Sequence, residues 1–482
     1  MHRRILCAVA VLVMVTGCMT VGPDYKRPEI DTPTKWRFEE KEAKDLANTT
    51  WWEHFNDPVL NGLVTTALQE NKDLRIATAR IEEFFGRYFS TRGNQFPSAS
   101  GSTDAFRQRL SEKNSIQPID KKDNAFNFYR AFLGASWELD FWGKFRRATE
   151  SARAELLVTE EGRRSTVLTL VSTVAAAYVE LRALDKQLEI TRATAQTRKE
   201  TLDLFQLRFD KGIISEVDLS QAQSEYADAL ARIPDFERAI GRTENALSVL
   251  LGRNPGPIPR GLSIDELILP AVPSGMPSEL LERRPDIRQA EQRLIAANAN
   301  IGVAKSLYFP TISLTGDLGL ASTSLSNLFT SAARTWSFGV PVDVPLFTAG
   351  RIGGEVKAAE ALQQQALYSY LQVIQNAFRE MEDALIDRAK LGQRLDALGR
   401  QIKALKNYAR LARMRYNEGY TSYLEVLDAE RSLFNVELSY TVGQNNLFRS
   451  LIDIYKSMGG GWVTKAEDGM AAQPVMEADF IP

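Results

Sequence analysis

The sequence predicts a mainly α-helical chain that carries four β-strands and in which one structural unit is written twice. Three observations lead there. The first is repetition: Leu207-Arg208-Phe209-Asp210-Lys211-Gly212-Ile213-Ile214-Ser215 returns as Met414-Arg415-Tyr416-Asn417-Glu418-Gly419-Tyr420-Thr421-Ser422, and the same offset of about 207 residues carries Ala222 onto Ala429 and Gly252 onto Gly459. A second alignment lays Asp73-Leu74-Arg75-Ile76-Ala77 on Asp286-Ile287-Arg288-Gln289-Ala290, and Phe96-Pro97 on Phe309-Pro310. The second observation is a pair of proline-free stretches, 144–211 and 351–418, and the third is period-two alternation ahead of each. A repeat this long implies two structural units packed side by side, a pseudo-symmetric wall rather than an enzyme pocket.

The chain opens with the basic Met1-His2-Arg3-Arg4, runs apolar over residues 5–15 and ends that run with Val15-Thr16-Gly17-Cys18. The run is too short to span a bilayer as a helix, and the layout is that of a removable secretion signal over 1–17. Small residues before a cysteine resemble a bacterial lipobox, which implies that Cys18 becomes a mature N-terminus acylated on sulfur and nitrogen; an ordinary signal that happens to hold a cysteine is the competing reading. Cys7 falls in the discarded segment, so no disulfide can form within one mature chain. A diacylglycerol plus an acyl chain exceeds what a single chain can anchor. Met19-Thr20 lacks the aspartate that resembles an inner-membrane retention signal, so the expected address is the outer membrane of a Gram-negative cell, with 18–60 as a lipid-anchored segment.

The first unit, 61–252, begins with a helix near 61–92. A hairpin over 96–142 follows: a weak strand at 99–107, a loop at 110–125, and a strand at 128–142 with Tyr129, Ala131, Leu133, Ala135, Trp137, Leu139 and Phe141 opposite Arg130, Gly134, Ser136, Glu138 and Asp140. In the long helix 144–211, Val167, Val171, Val174, Tyr178, Leu181, Leu184 and Leu188 recur at steps of three and four, the coiled-coil spacing. At about 1.5 Å per residue it is about 100 Å long. Gly212 suits its C-terminal turn, and a return helix at 216–251, with a local kink expected at Pro234, stacks end to end with the first helix to match that length. The connector 253–278 opens with Asn254-Pro255-Gly256-Pro257-Ile258-Pro259. The second unit, 279–458, repeats the plan: a helix at 279–306, a hairpin at 309–347 (Ile312, Leu314, Leu318 and Leu320, then Trp336, Phe338, Val340, Val342, Val344 and Leu346), the long helix to Gly419, and a return helix at 423–458. The tail 459–482 has no period.

With 59 basic and 61 acidic residues there is no field to attract nucleic acid. Beyond the signal no apolar run reads as a transmembrane helix, so any spanning structure must be a β-barrel. A soluble sandwich shows the same alternation. Four strands cannot close a membrane barrel, whose smallest members have about eight, whereas three chains supply twelve.

Val21-Gly22-Pro23-Asp24-Tyr25 with Pro28, Trp51-Trp52 with Phe55 and Asp57-Pro58, Trp137-Glu138-Leu139-Asp140, Ile233-Pro234-Asp235, Glu244-Asn245-Ala246-Leu247 through Leu251-Gly252, Arg283-Arg284-Pro285-Asp286-Ile287-Arg288 with Ala290-Glu291, and Pro345-Leu346-Phe347 with Gly350 follow one another along nearly the whole mature chain. This ordered set resembles the outer-membrane factor lipoproteins of tripartite efflux pumps, of the OprM/NodT type in the TolC-like superfamily. The resemblance implies a homotrimer with a twelve-stranded barrel in the outer membrane and a twelve-helix α-barrel across the periplasm. It implies a periplasmic adaptor (membrane fusion) protein and an inner-membrane pump as partners, and passive conduction of drugs, toxic small molecules or metal ions. The lipid anchor leans toward pumps of the resistance-nodulation-division type; a duct for type I protein secretion is the alternative.

Catalytic chemistry finds no support in the sequence: the histidines are His2 and His54, and no metal-ligand spacing or phosphate loop occurs. No cofactor is expected beyond the covalent lipid on Cys18. The candidates for function lie just after Gly212 and Gly419. Leu424, Asp428 and Arg431 share one helix face, a spacing that also fits an exposed ion pair worth a few tenths of a kcal/mol. By resemblance they constrict the periplasmic mouth, Leu424 as an apolar ring and Asp428 as an acidic one, with Arg431 pairing with the aspartates. Glu425 and Asp218 stand where some relatives carry further acidic gate residues.

Overall fold

The computed structural model describes residues 20–33, 36–37, 50–109, 125–270, 272 and 277–459. Cys18, the signal, most of the first strand-to-strand loop and the tail from 460 lie outside the described residues. The helices are α1 (Pro58–Glu70), α2 (Lys72–Gly93), α3 (Lys144–Asp210), α4 (Glu216–Leu250), α5 (Pro285–Ser306), α6 (Arg351–Asn417) and α7 (Tyr423–Ser457), with single turns at Trp51–Phe55 and Leu280–Arg283. Two compact units are formed, one from Met1–Pro28, Ile81–Thr159 and Ala290–Tyr370, the other from Glu29–Arg80, Glu160–Gln289 and Leu371–Pro482. Each draws on both sequence copies.

In the first unit, β1 (Ser98–Arg109), β2 (Ala125–Glu138), β3 (Thr311–Ser322) and β4 (Arg334–Gly339) form an antiparallel sheet in that order, and β5 (Val342–Asp343) pairs with β3. Gly101 faces Leu133, Leu133 faces Leu318 and Leu318 faces Trp336, so these partners share one side of the sheet. Trp137, Leu314 and Phe338 join them by register, and this apolar side is exposed. The other side is mixed: Ser98 and Ser100 on β1 and Asp104 Oδ2 2.6 Å from Arg130 Nε are polar, while Phe132 stands opposite Ser102 and the Phe106 and Phe128 rings lie 5.2 Å apart. Two strands end sooner than the alternation predicts. Leu139 N still donates to Ile312 O at 2.8 Å, but Asp140 turns out of line to accept from the N–H groups of Phe145 and Arg146 at 3.2 and 2.9 Å, capping α3, so the strand does not reach Phe141. Pro341 has no N–H to donate, so β4 stops at Gly339 and only β5 resumes beyond it; Val344 and Leu346 lie outside the strands.

In the second unit each return helix ends on a left-handed glycine, Gly252 (φ 70°) and Gly459 (φ 62°), beside the start of an earlier helix. The Asn71 side-chain amide donates to Leu250 O at 2.9 Å, and the buried Arg284 donates through Nη1 to Ser457 O at 3.1 Å. These residues satisfy carbonyls that a helix C-terminus leaves unpaired, and they seat the helices end to end. They also divide the helices predicted as continuous over 61–92 and 279–306. Asn71 Oδ1 accepts from Leu74 N at 3.0 Å to start α2, and Pro285 starts α5 where a missing N–H costs nothing. The helix α4 continues through Pro234. Asp57, fully buried, caps α1 by accepting from Val59 N at 2.8 Å, and also accepts from Tyr178 Oη at 2.7 Å and Leu262 N at 3.0 Å.

Candidate functional site

Both long helices stop in the same way. Gly212 N donates to Phe209 O and Ile213 N to Arg208 O, at 2.8 and 2.9 Å; Gly419 N donates to Tyr416 O and Tyr420 N to Arg415 O, at 3.0 and 2.8 Å. This pair of bonds needs a left-handed residue, and both glycines supply it, at φ 71° and 79°. The chain then reverses into α4 and α7. Phe205, Leu219, Ala222, Ala412, Tyr423, Val426, Leu427 and Ala429 close into one apolar cluster beneath the turns, with the Phe205 and Tyr423 rings 4.5 Å apart. Burial, with the Glu430 carboxylate next in effect, pushes the Tyr423 phenol up to about 12.

Because Tyr423, Val426, Leu427 and Ala429 face that cluster, the opposite side of α7 presents Leu424, Asp428 and Arg431 outward, and all three are exposed. Leu424 is 59% exposed, an apolar side chain at a helix tip. Desolvation, then the nearby Asp428 and Glu425 carboxylates, raises the phenol of Tyr408 on α6 above its ordinary range. Arg431 turns to α4: its Nε is 3.1 Å from Glu225 Oε1, and its Nη2 meets the same oxygen. Within the chain it pairs with Glu225, and the Asp428 carboxylate adds a weaker attraction.

The two further acidic candidates have local partners. Asp218 completes a capping box at the start of α4, where its carboxylate accepts from Ser215 N at 3.3 Å and its own N–H donates to Ser215 Oγ at 3.2 Å. Glu425 accepts from Arg415 Nη1 at 3.0 Å and from Thr421 Oγ1. Sequence reasoning missed Glu225. Its signal is legible in retrospect, since a carboxylate interrupts the otherwise apolar buried stripe Leu219, Ala222 and Ala229 of α4. Tyr408 carries no such signal.

The chain matches the family described as outer membrane efflux protein over residues 63–253 and 276–460. It is 36% identical over 459 residues to the solvent efflux pump outer membrane protein SrpC of Pseudomonas putida, covering 94% of this chain and 97% of SrpC. To the probable outer membrane lipoprotein SilC of Salmonella typhimurium it is 33% identical over 475 residues, 96% of this chain and 100% of SilC. Among solved structures, the outer-membrane channel OprN superposes with a TM-score of 0.85 at 32% identity, covering 92% of this chain and 99% of OprN.

Proposed function

Because the chain belongs to the outer membrane efflux protein family and is the outer-membrane component of an efflux pump rather than an enzyme, we propose that three copies assemble into one duct narrowed at its periplasmic mouth by Leu424 and Asp428. The observation that carries this reading is the division of α7 into two faces. One is packed into the tip cluster, and the other leaves a leucine and a carboxylate exposed among the described residues. Repeated around a threefold axis, Leu424 gives an apolar ring and Asp428 a ring of like charges. Two unit charges about 4 Å apart repel by about a kcal/mol even in water, so the acidic ring favours dilation unless the tips are otherwise restrained. Arg431 supplies that restraint through Glu225, and Glu425 and Asp218 steady the turns on either side.

In this reading Cys18 carries the lipid and needs no other attached group. A periplasmic adaptor and an inner-membrane pump deliver the cargo, so selection is made upstream and the duct passes small solutes of several classes. The test is single-channel conductance in planar bilayers. Leu424→Ala should raise it while the trimer stays intact, and Glu216→Gln, a charge removed from the α4 tip, should not. Parent-like conductance in Leu424→Ala would place the constriction elsewhere.

A further inference from the structure

The apolar side of the sheet carries charge at one end only. Side chains alternate along a strand, so Arg107 and Arg109 of β1 lie on the same side as Gly101, and Arg334 of β4 on the same side as Trp336. No acidic residue shares that side among the described strand residues. Arg107 and Arg334 are exposed and have no hydrogen bond or ion pair among the described residues, whereas Arg130 on the opposite side is held by Asp104. The arginines sit at the loop end of the sheet, away from the helices. On β2 the same side runs from Trp137 to Tyr129, about 27 Å of strand, which after tilting is close to the height of an apolar band bounded by aromatic residues. Ala105 faces Tyr129, so Arg107 is the next residue on that side beyond the band. Arg334 stands two residues beyond Trp336, whose ring stacks on that of Phe338 at 5.5 Å, and both rings are exposed. A charge there avoids most of the penalty it would meet at the bilayer midplane.

β1 and β4 are opposite edges of one sheet, but the repeat indicates how a second copy brings them together. Both hairpins close in the same register, Ser98 facing Ser136 in the first and Thr311 facing Asp343 in the second. Between the hairpins, Tyr129 faces Ser322 and Ala131 faces Leu320. The repeat lays Tyr129 on Trp336, Ala131 on Phe338, Ser322 on Arg109 and Leu320 on Arg107. The same join made with the next copy therefore sets Trp336 opposite Arg109, and Phe338 opposite Arg107, of that copy. We infer that each such junction is a site for a lipid headgroup bearing phosphate in the outward-facing leaflet, with Arg334 of one copy and Arg107 of the next on the phosphates. The inference rests on the three-copy duct proposed above. Guanidinium groups match phosphate through paired N–H donors and stay charged throughout the physiological range. A lipid fits where a free anion does not, because its chains can lie along Trp336, Phe338 and Leu318 while its headgroup meets the arginines.

The test is native mass spectrometry of the detergent-extracted protein titrated with lipid A bearing both phosphates, with the same lipid after dephosphorylation, and with inorganic phosphate. The trimer should bind the phosphorylated lipid at its three junctions and hold the dephosphorylated form about tenfold more weakly. Arg107→Gln and Arg334→Gln should each weaken the phosphorylated lipid by a similar factor, whereas Arg130→Gln, on the opposite side, should bind like the parent. The protein's own mass reports assembly independently of lipid. A parent that is not trimeric removes the duct and the site together, while a trimer that binds both lipids equally removes the site alone. Parent-like binding in both arginine variants would also overturn the site, and displacement of the lipid by inorganic phosphate would overturn the assignment to a lipid. If one arginine variant fails to assemble, the other variant and the comparison of the two lipids decide.

Discussion

Glu161 shows how burial and pairing compete at one side chain. Its Oε1 lies 2.8 Å from Arg164 Nη1 and 2.7 Å from Arg288 Nη2, yet its side chain is only 6% exposed and Oε2 is buried with no hydrogen-bond partner. Burial outweighs the two guanidinium groups and raises the carboxyl above its ordinary range. An acid whose pKa is raised by folding holds its proton more tightly in the folded state. Ionisation therefore weakens the fold above the unfolded carboxyl value of about 4.3, and the penalty fades below it. Glu161→Gln should melt higher than the parent at pH 7.5, and the difference should shrink toward zero as the pH falls to about 4. A variant that melts lower at neutral pH would mean that the ion pairs dominate. Asp57 is a buried carboxylate that accepts from Val59 N, Leu60 N, Leu262 N and Tyr178 Oη. Asp57→Ala removes a helix cap and strands buried donors, and should cost about 3 kcal/mol. Urea unfolding followed by helical circular dichroism measures it, with Asp57→Asn expected to lose less.

Among the helices, the two glycines Gly212 and Gly252 share nearly the same backbone, φ 71° and 70°, in different surroundings. A Cβ on Gly212 meets nothing within 4 Å, whereas on Gly252 it would sit 2.1 Å from Glu70 O. Gly212→Ala should cost the left-handed strain alone, about 1–2 kcal/mol. Gly252→Ala must in addition part the end of α4 from that of α1, and should lose clearly more in the same unfolding experiment. Equal losses would show that the junction yields freely. The sequence announced the long helices through absent prolines and their ends through glycine, because backbone restrictions are local. It concealed the breaks at Asn71 and Pro285, although a cap and an N1 proline mark both, because the apolar pattern on either side runs on in phase. The end of β2 differs for a related reason: Phe141 keeps period two by composition while Asp140 is drawn off to cap α3. At the tips, spacing revealed the outward face of α7, because that face is a helical property. The partner of Arg431 lies 206 residues away on α4, and no spacing rule connects them.

For the whole molecule, the sheet poses the question of what completes it. Among the described strands β1 and β4 each have one neighbour, so two ladders of backbone N–H and C=O groups face outward, and in a bilayer such edges must be paired. One side of the sheet is exposed and apolar through Leu133, Leu318, Trp336 and Phe338, while the other carries Ser100, Asp317, Ser337 and the pair Asp104 and Arg130, with phenylalanines confined to the Phe106, Phe126, Phe128 and Phe132 end. Joining copies edge to edge satisfies both facts only if the apolar side turns to lipid and the ring closes, and three copies give the twelve strands that closure needs. The detergent-extracted protein should therefore run at three times the protomer mass in native mass spectrometry; a stable monomer or dimer would remove the barrel. The orientation has its own test. Leu318→Arg places a charge on the proposed lipid side at the middle of β3, where the penalty is about 2–4 kcal/mol per chain near the bilayer midplane and is incurred three times in a trimer. Ser100→Arg adds the same charge to the other side, opposite Gly134 and one strand from Asp317. The first variant should lose trimer from outer-membrane fractions and the second should keep it. Equal recovery of both would mean that the apolar side of the sheet does not meet lipid.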